Sequence, residues 1–285
     1  MRSSPRKRGS PGTARLLALD RGNHALKMAL FDSGVIAARW REERPRMETL
    51  LRGIVRGLAR ESAREAGAGL GSRDRSRLER VIGDSVVLHS AVFSSVSPRW
   101  SAEIRAALEE ALVSRVLEVN ARIAFPFAIL VDRPAKVGPD RLAAAAGVVA
   151  CGDAEAIIVD AGTAITVDVL STRGFLGGAI VPGEGLMRRS LHEGTAVLPL
   201  VPAGEAGAPP GRDTKAAIAA GAHWGAIGAV RELVRRSRHA VSRKARVYVT
   251  GGGGAAIAAG LGAEARHEPD LVFLGLEHLF ELNCR

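Results

Sequence analysis

Residues 17–34 read LALDRGNHALKMALFDSG, and residues 157–174 read IIVDAGTAITVDVLSTRG. In both stretches an apolar run ends in an aspartate and a glycine-containing turn, at Asp20 and at Asp160, and a second strand-like run follows. The two stretches align without a gap at an offset of 140 residues. The sequence therefore predicts a duplicated α/β unit, with two similar lobes that face each other across a cleft where ligands bind.

The rest of the chain alternates between helical and strand-like patterns. These patterns predict helices at 47–66, 101–112 and 141–150, and strands at 90–96 and 156–160. We expect residues 1–14 to form a disordered basic tail, residues 15–152 an N-terminal lobe and residues 153–285 a C-terminal lobe. No apolar stretch follows the tail that could serve as a signal sequence.

The composition limits the classes of function. With 285 residues, 47% of them hydrophobic, the chain can bury the cores of two modest domains. No apolar run approaches the ~20 residues of a membrane-spanning helix. Two cysteines build neither a disulfide framework nor a zinc site, so we expect a cytoplasmic protein without a membrane contact. The net charge is +10, but basic residues are interleaved with acidic ones and aromatic residues are few, which disfavours a nucleic-acid partner.

The first aspartate turn has the groups that a polyphosphate needs. Asp20, Gly22 and Asn23, with Lys27 downstream, offer a tight turn, backbone N–H donors and a carboxylate that can hold Mg²⁺ or its waters. Taken alone, this pattern is equally typical of an ordinary hairpin turn. The second copy keeps the aspartate and the glycine and adds threonine hydroxyls that can reach phosphate oxygens, which favours a nucleotide site.

A third candidate element is a glycine cluster at residues 247–254, VYVTGGGG, where a strand-like run leads into a helical pattern. Glycines such as Gly251 and Gly252 let the backbone approach a phosphate or a flat ligand at a helix N-terminus. The alternative is a flexible strand-to-helix turn. The position of the cluster after both aspartate hairpins favours a nucleotide contact.

These three elements in this order are the pattern of the acetate and sugar kinase, heat-shock chaperone and actin superfamily, which has ribonuclease H-like, actin-like ATPase lobes around a central nucleotide cleft. Within it, the chain resembles the type III pantothenate kinases, also called the Bvg accessory factor family, from Leu16 to Asn283. The resemblance rests on these segments: LALDRGN (17–23), VGPDR (137–141), IVDAGTA (158–164), GGAIVPG (177–183), TAVLP (195–199), DT (213–214), TGG (250–252) and LGL (274–276).

The resemblance implies a reaction and a set of site residues. The implied reaction is ATP-dependent phosphorylation of pantothenate to 4′-phosphopantothenate, the first step of coenzyme A biosynthesis, by a cytoplasmic homodimer that uses Mg²⁺ and a monovalent cation, K⁺ or NH₄⁺. The implied ATP-binding residues, with two glycines of the cluster, are Asp20, Arg21, Gly22, Asn23, His24, Ala25, Leu26, Lys27, Thr163, Gly251 and Gly252. The implied pantothenate-binding residues are Gly138, Pro139, Asp140, Arg141 and Thr214, with Asp140 as proton acceptor, and Asp160 is implied to bind the monovalent cation.

The local sequence around Asp140 agrees with these roles. Pro139 is typical of the first turn of a helix, where its missing N–H costs nothing. The helix dipole then keeps Asp140 ionised, so that it can accept a hydrogen bond from the substrate hydroxyl. Arg141 can pair with the pantothenate carboxylate.

Three positions depart from the family pattern. His24 stands where a hydroxyl residue is usual, Pro139 replaces alanine and removes one backbone donor, and Val131 lies near a position where tyrosine is usual. The sequence thus leaves open a non-catalytic, ATP-binding regulatory protein of the same fold. The presence of both aspartate turns and of the Asp140-Arg141 pair favours the enzyme, because a pure binding module has no need of this set.

Overall fold

The computed structural model describes residues 15–43, 88–110, 113–202 and 207–284. Contacts divide the described residues into two compact units, the first formed by those within 1–124, 138–140 and 276–285 and the second by those within 125–137 and 141–275. The predicted tail at 1–14 and the predicted helix at 47–66 lie outside the described residues. The division of the chain after residue 152 stays a prediction.

The first unit is built on a five-stranded mixed sheet. Its strands are β1 (Leu16–Arg21), β2 (Ala25–Asp32), β3 (Val35–Glu43), β4 (Ser90–Ser95) and β5 (Arg115–Glu118), in the order β3-β2-β1-β4-β5. The first three strands are antiparallel neighbours, whereas β4 and β5 run parallel to β1. One face of the sheet packs against helix α1 (Pro98–Glu110) through a core that includes Leu17, Leu19, Met28, Phe93 and Ile104.

The second unit contains a sheet of the same topology. Its strands are β6 (Ala156–Ala161), β7 (Ala164–Ser171), β8 (Gly174–Pro182), β9 (Arg246–Thr250) and β10 (Ala265–His267), in the order β10-β9-β6-β7-β8. The remaining helices are α2 (Pro139–Ala150), α3 (Glu184–Glu193), α4 (Thr214–Ser237), α5 (Gly254–Leu261) and α6 (Leu271–Cys284), with 3₁₀ turns at Pro134–Lys136, Arg238–Ala240 and Gly262–Glu264. Among the described residues, no helix is long and apolar enough to cross a membrane.

Each strand of the second sheet repeats the strand of the first sheet in the same place and direction, which confirms the predicted duplication. The alignment without a gap is wrong by one residue. The turn after β1 has three residues, 22–24, whereas the turn after β6 has two, 162–163, so the offset falls from 140 to 139 in the strands that follow. In accord with this shift, the β-bulge that follows Leu30 in β2 recurs after Val169 in β7.

Two glycines allow helices α2 and α6 to cross in close contact within the second unit. A Cβ atom on Gly147 would lie 2.1 Å from the Leu271 carbonyl oxygen, and one on Gly275 would lie 1.8 Å from the Ala143 carbonyl oxygen. Both distances are far below van der Waals contact, so neither position has room for a larger residue. The crossing fixes α2, the helix whose first three residues, Pro139, Asp140 and Arg141, are candidate site residues.

The second half of α6, from Leu276 onward, belongs to the first unit. It lies beside the face of the sheet that carries the side chains of Leu16, Phe31 and Ser90. Phe280 lies beneath the guanidinium of Arg115, whose Cζ is 5.4 Å from the ring centroid. Helix α6 therefore contributes to both units.

Candidate active site

The first aspartate turn is organised around a buried carboxylate. Asp20, the penultimate residue of β1, is only 5% exposed. Its Oδ1 accepts a hydrogen bond from Ser94 Oγ at 2.8 Å, and its Oδ2 lies 3.4 Å from Lys27 Nζ. Ser94 and Lys27 are the residues opposite Asp20 on β4 and β2, so all three side chains project from one face of the sheet. The structure therefore brings Asp20 and Lys27 together, and Ser94, which the sequence did not indicate, lies beside them.

The remaining residues of this turn divide into a buried and an exposed group. The backbone N–H of Gly22 donates to the Ala25 carbonyl at 3.1 Å and closes the turn, whose tip, Asn23 and His24, is exposed. The side chains of Ala25 and Leu26 are buried, so only their backbone can contact a nucleotide. Arg21 is also buried, with its Cζ 3.7 Å from the centroid of the Trp100 ring. This distance is that of a cation–π contact.

The second aspartate turn has the same register with different neighbours. Asp160 lies on β6 opposite Thr166 on β7 and Thr250 on β9, the places that Lys27 and Ser94 occupy around Asp20. Thr250 Oγ1 donates to the Pro269 carbonyl at 3.3 Å. The buried Oγ1 of Thr166 makes no hydrogen bond to any residue that the structure describes. The Asp160 carboxylate and the Thr166 hydroxyl both carry hard oxygen atoms, and such ligands suit a cation such as K⁺.

The glycine cluster approaches Asp160 closely. Gly251 has a φ of +89°, and a Cβ atom there would lie 2.3 Å from Asp160 Oδ1. The N–H of Gly253 donates to the Ala161 carbonyl at 2.8 Å, which ties the cluster to the end of β6. Gly252 is exposed between them. The structure thus brings Asp160 and the predicted glycines together.

A further glycine supports the turn at Thr163. The N–H of Gly183 donates to the Thr163 carbonyl at 3.0 Å, and a Cβ atom on Gly183 would lie 2.3 Å from the Gly162 carbonyl oxygen. This close approach explains why glycine stands before α3.

Helix α2 begins at Pro139, as the sequence predicts, directly after Gly138. Asp140 is the second residue of the helix and lies in its first turn. Arg141 forms a bidentate ion pair with Asp168 on β7: its Nε lies 3.1 Å from Oδ1 and 3.0 Å from Oδ2, and its Nη2 also contacts Oδ1. The Cζ of Arg141 is 5.8 Å from the centroid of the Phe175 ring.

Sequence reasoning missed Asp168. A signal was present, because Asp168 is the one charged residue in the strand AITVDVLS, and a carboxylate in an apolar run needs a partner when it is buried. The sequence did not indicate that this partner is Arg141.

The last two predicted positions lie elsewhere in the second unit. Thr214 is exposed as the first residue of α4, next to Asp213, whose side chain caps the helix by accepting from the Ala216 N–H at 2.8 Å. Val131 is half-buried and faces Gly177 on β8, where a Cβ atom would lie 3.3 Å from Val131 Cγ1.

Comparison with known proteins places the chain in a sequence family. A family model described as type III pantothenate kinase matches residues 16–236. A type III pantothenate kinase of Halorhodospira halophila is 38% identical over 264 residues, which cover 92% of this chain and 96% of the relative. A type III pantothenate kinase of Dehalococcoides mccartyi is 32% identical over 274 residues, which cover 95% and 97%.

Solved structures share the fold. A Campylobacter jejuni protein described as a Baf family transcriptional activator has a TM-score of 0.55 at 17% identity, covering 93% of this chain and 97% of that one. A Sinorhizobium meliloti protein described as a 2-dehydro-3-deoxygalactonokinase has a TM-score of 0.54 at 14% identity, covering 93% of this chain and 98% of that one. At these identities the likeness shows the fold alone. Because the family model and the sequence relatives cover most of the molecule, the chain belongs to the type III pantothenate kinase family.

Proposed function

We propose that this chain transfers the γ-phosphoryl group of ATP to the primary hydroxyl of pantothenate, which gives 4′-phosphopantothenate in the first step of coenzyme A biosynthesis. The observation that carries the proposal is the start of helix α2, where Asp140 and Arg141 stand side by side within the family match. A regulatory protein that only binds ATP would not need a proton acceptor beside a carboxylate-binding arginine. We place the reaction in the cytoplasm, in keeping with two cysteines that remain free.

The first turn would bind the ATP phosphates. Lys27 supplies positive charge beside Asp20, and the backbone of the turn supplies N–H donors. Asp20 would hold Mg²⁺ through its coordinated waters, and the metal supplies charge neutralisation for the transferred phosphate. Ser94 fixes the Asp20 carboxylate and thus limits the directions in which it can accept.

Asp140 would act on the acceptor. Its position in the first turn of α2 favours the ionised carboxylate, which would accept a hydrogen bond from the pantothenate hydroxyl. It would take the proton as the hydroxyl oxygen bonds to the γ-phosphorus and the bond from that phosphorus to the departing ADP breaks. Because phosphoryl transfer has a loose transition state, orientation of this hydroxyl matters more than the strength of the base. Arg141 would bind the pantothenate carboxylate, and Thr214 would supply a hydroxyl contact.

The reaction itself is the first test. Purified protein incubated with ATP, Mg²⁺, K⁺ and pantothenate is expected to give 4′-phosphopantothenate, measured by mass spectrometry. Formation of ADP without this product would contradict the proposed acceptor. Binding of ATP with no turnover would instead support the regulatory alternative.

We expect turnover to require K⁺ or NH₄⁺. Asp160 and the Thr166 hydroxyl would hold the ion near the second turn, where a fixed positive charge lowers the repulsion between the phosphates and the incoming hydroxyl. Replacement of K⁺ by Na⁺ at constant ionic strength should lower kcat by roughly tenfold or more. Equal rates in the two salts would remove the cation from the proposal. Thr166→Val, which deletes one oxygen ligand and keeps the shape, should raise the K⁺ concentration needed for half-maximal rate.

We also propose a homodimer, formed through apolar residues of the second unit. On β8, α3, α4 and the segment after α3, large apolar side chains are exposed: Ile180, Leu186, Leu191, Val197, Leu200 and Trp224. A stable interface buries about 800 Å² on each partner, so it needs several such residues together. Val197 is the most exposed of the six, at 86%.

Light scattering should give the mass of a dimer, and Val197→Asp with Leu200→Asp should give a monomer. Val35→Asp, at an exposed apolar position of the first unit, is the matched control and should leave the dimer intact. A fully active monomeric wild type would contradict the proposal.

A further inference from the structure

Asp168 is a charged group of the second unit that the proposed roles leave unexplained. It lies in the middle of β7, is 1% exposed, and pairs through both carboxylate oxygens with Arg141. Burial of a carboxylate is unfavourable unless it is compensated by charge and hydrogen bonds, and the planar guanidinium supplies both. The ion pair therefore restricts the side chain of Arg141 as well as that of Asp168.

The neighbouring strand restricts the position of the Asp168 carboxylate. Gly178 lies opposite Asp168 on β8, and a Cβ atom at this glycine would lie 2.5 Å from Asp168 Oδ1 and 2.1 Å from the Val167 carbonyl oxygen. The missing side chain leaves the space in which the carboxylate lies. The fully buried ring of Phe175 lies near the guanidinium, with its centroid 5.8 Å from Arg141 Cζ, within the range of a cation–π contact.

The contacts with Asp168 involve one edge of the guanidinium. They are made by Nε and Nη2 of Arg141, whose side chain is 16% exposed. Since a guanidinium carries its five N–H groups in one plane, fixing the Nε–Nη2 edge also fixes the direction in which the other N–H groups point. An arginine oriented in this way loses less rotamer entropy when it binds a carboxylate.

We propose that Asp168 is a positioning residue, which orients Arg141 so that the enzyme binds an acceptor with a free carboxylate. The inference rests on the proposed function and adds to it a residue that determines substrate specificity. Asp168 does not touch the substrate: it acts through Arg141 alone. Its loss should therefore impair substrates with a carboxylate and spare a substrate that lacks one.

The test compares two acceptors. One is pantothenate, and the other is its alcohol analogue, in which CH₂OH replaces the carboxylate and the reacting hydroxyl is unchanged. For Asp168→Asn, we expect KM for pantothenate to rise roughly tenfold or more, as for the loss of a charge-assisted contact. The KM for ATP, and kcat/KM for the alcohol, should stay within about twofold of wild type, since Arg141 adds little to a neutral acceptor. A merely structural role would lower the rates with both acceptors.

A double-mutant cycle completes the experiment. Arg141→Lys keeps the charge but lacks the planar fork, so it should show the same loss that is selective for pantothenate. Asp168→Asn combined with Arg141→Lys should be little worse than either variant, because both interrupt one interaction. If Asp168→Asn does not fold, as judged by circular dichroism, Asp168→Glu takes its place in the acceptor comparison, because it keeps the negative charge but displaces it by one methylene group.

Two results would overturn the inference while the proposed function stands. These are equal losses with the two acceptors, and additive effects in the cycle, in a wild-type protein that phosphorylates pantothenate. If the wild type phosphorylates neither acceptor, the proposed function fails, and the inference fails with it.

Discussion

Asp140→Asn is expected to lower kcat for pantothenate phosphorylation by roughly 10²- to 10⁴-fold, the usual loss when a general base is removed. The substitution keeps the size and shape of the side chain at the start of α2 but removes the charge that accepts and orients the substrate hydroxyl. The KM for ATP and the melting temperature should remain close to those of wild type. Rapid-quench measurement of the phosphorylated product at saturating substrates separates the chemical step from binding.

Asp20→Asn is the matched comparison, because it makes the same chemical change at the other carboxylate with a proposed role. Asp20 has Ser94 and Lys27 as partners, so its loss should weaken the handling of Mg²⁺ and ATP and raise the KM for ATP. The two variants should therefore fail in different kinetic constants. Near-normal turnover of Asp140→Asn at saturating pantothenate and ATP would show that Asp140 is not the proton acceptor and serves only at the start of the helix.

Gly251→Ala is expected to lower kcat/KM for ATP by about 100-fold, as for a displacement of about 1 Å in a site. A Cβ atom at residue 251 would lie 2.3 Å from Asp160 Oδ1 and 2.6 Å from the Ala161 carbonyl oxygen, so the carboxylate or the turn must move. Steady-state kinetics with ATP and K⁺ as varied components measures the loss, and the requirement for K⁺ should rise at the same time.

Gly152→Ala controls for backbone strain. Gly152 has the same φ of +89° as Gly251, but a Cβ atom there would meet nothing within 4 Å. Both variants should lose about 1 kcal/mol of stability from the left-handed backbone, whereas only Gly251→Ala should lose activity. Equal activities in the two variants would show that the close approach to Asp160 has no part in function.

The strands of the two aspartate hairpins, β1 with β2 and β6 with β7, could be predicted because each is a largely apolar run beside a glycine-containing turn. The helix that begins at Pro139 was equally accessible, since proline at a first helical turn is a local signal. The difference in length between the two turns, three residues in the first hairpin and two in the second, could not be predicted. The matches of Leu30 with Leu170 and of Gly34 with Gly174 hid the missing residue, and only the hydrogen-bond register of the strands reveals it.

The partners of the site residues were the least predictable part. Asp20 meets Ser94 across 74 residues of chain, and Arg141 meets Asp168 across 27. Such pairs depend on which strands become neighbours and on which face a helix lies, and no local pattern of residues encodes either. A buried charge in an apolar strand predicts that a partner exists, but not its identity.

Helix α6 also has a consequence for how the protein is made. The sheet of the first unit is complete in sequence at Glu118, yet this unit also includes the helix from Leu276 onward, where Asn283 hydrogen-bonds the backbone N–H and carbonyl of Ala124 at 2.8 and 3.0 Å. A ribosome that adds about 5 to 20 residues per second needs roughly 8 to 30 s to translate the intervening chain. During that interval the nascent sheet lacks the helix that packs beside Leu16 and Phe31. The unit whose synthesis begins first is thus the last to be completed, and stalled or truncated chains should be ready substrates for chaperones and proteases.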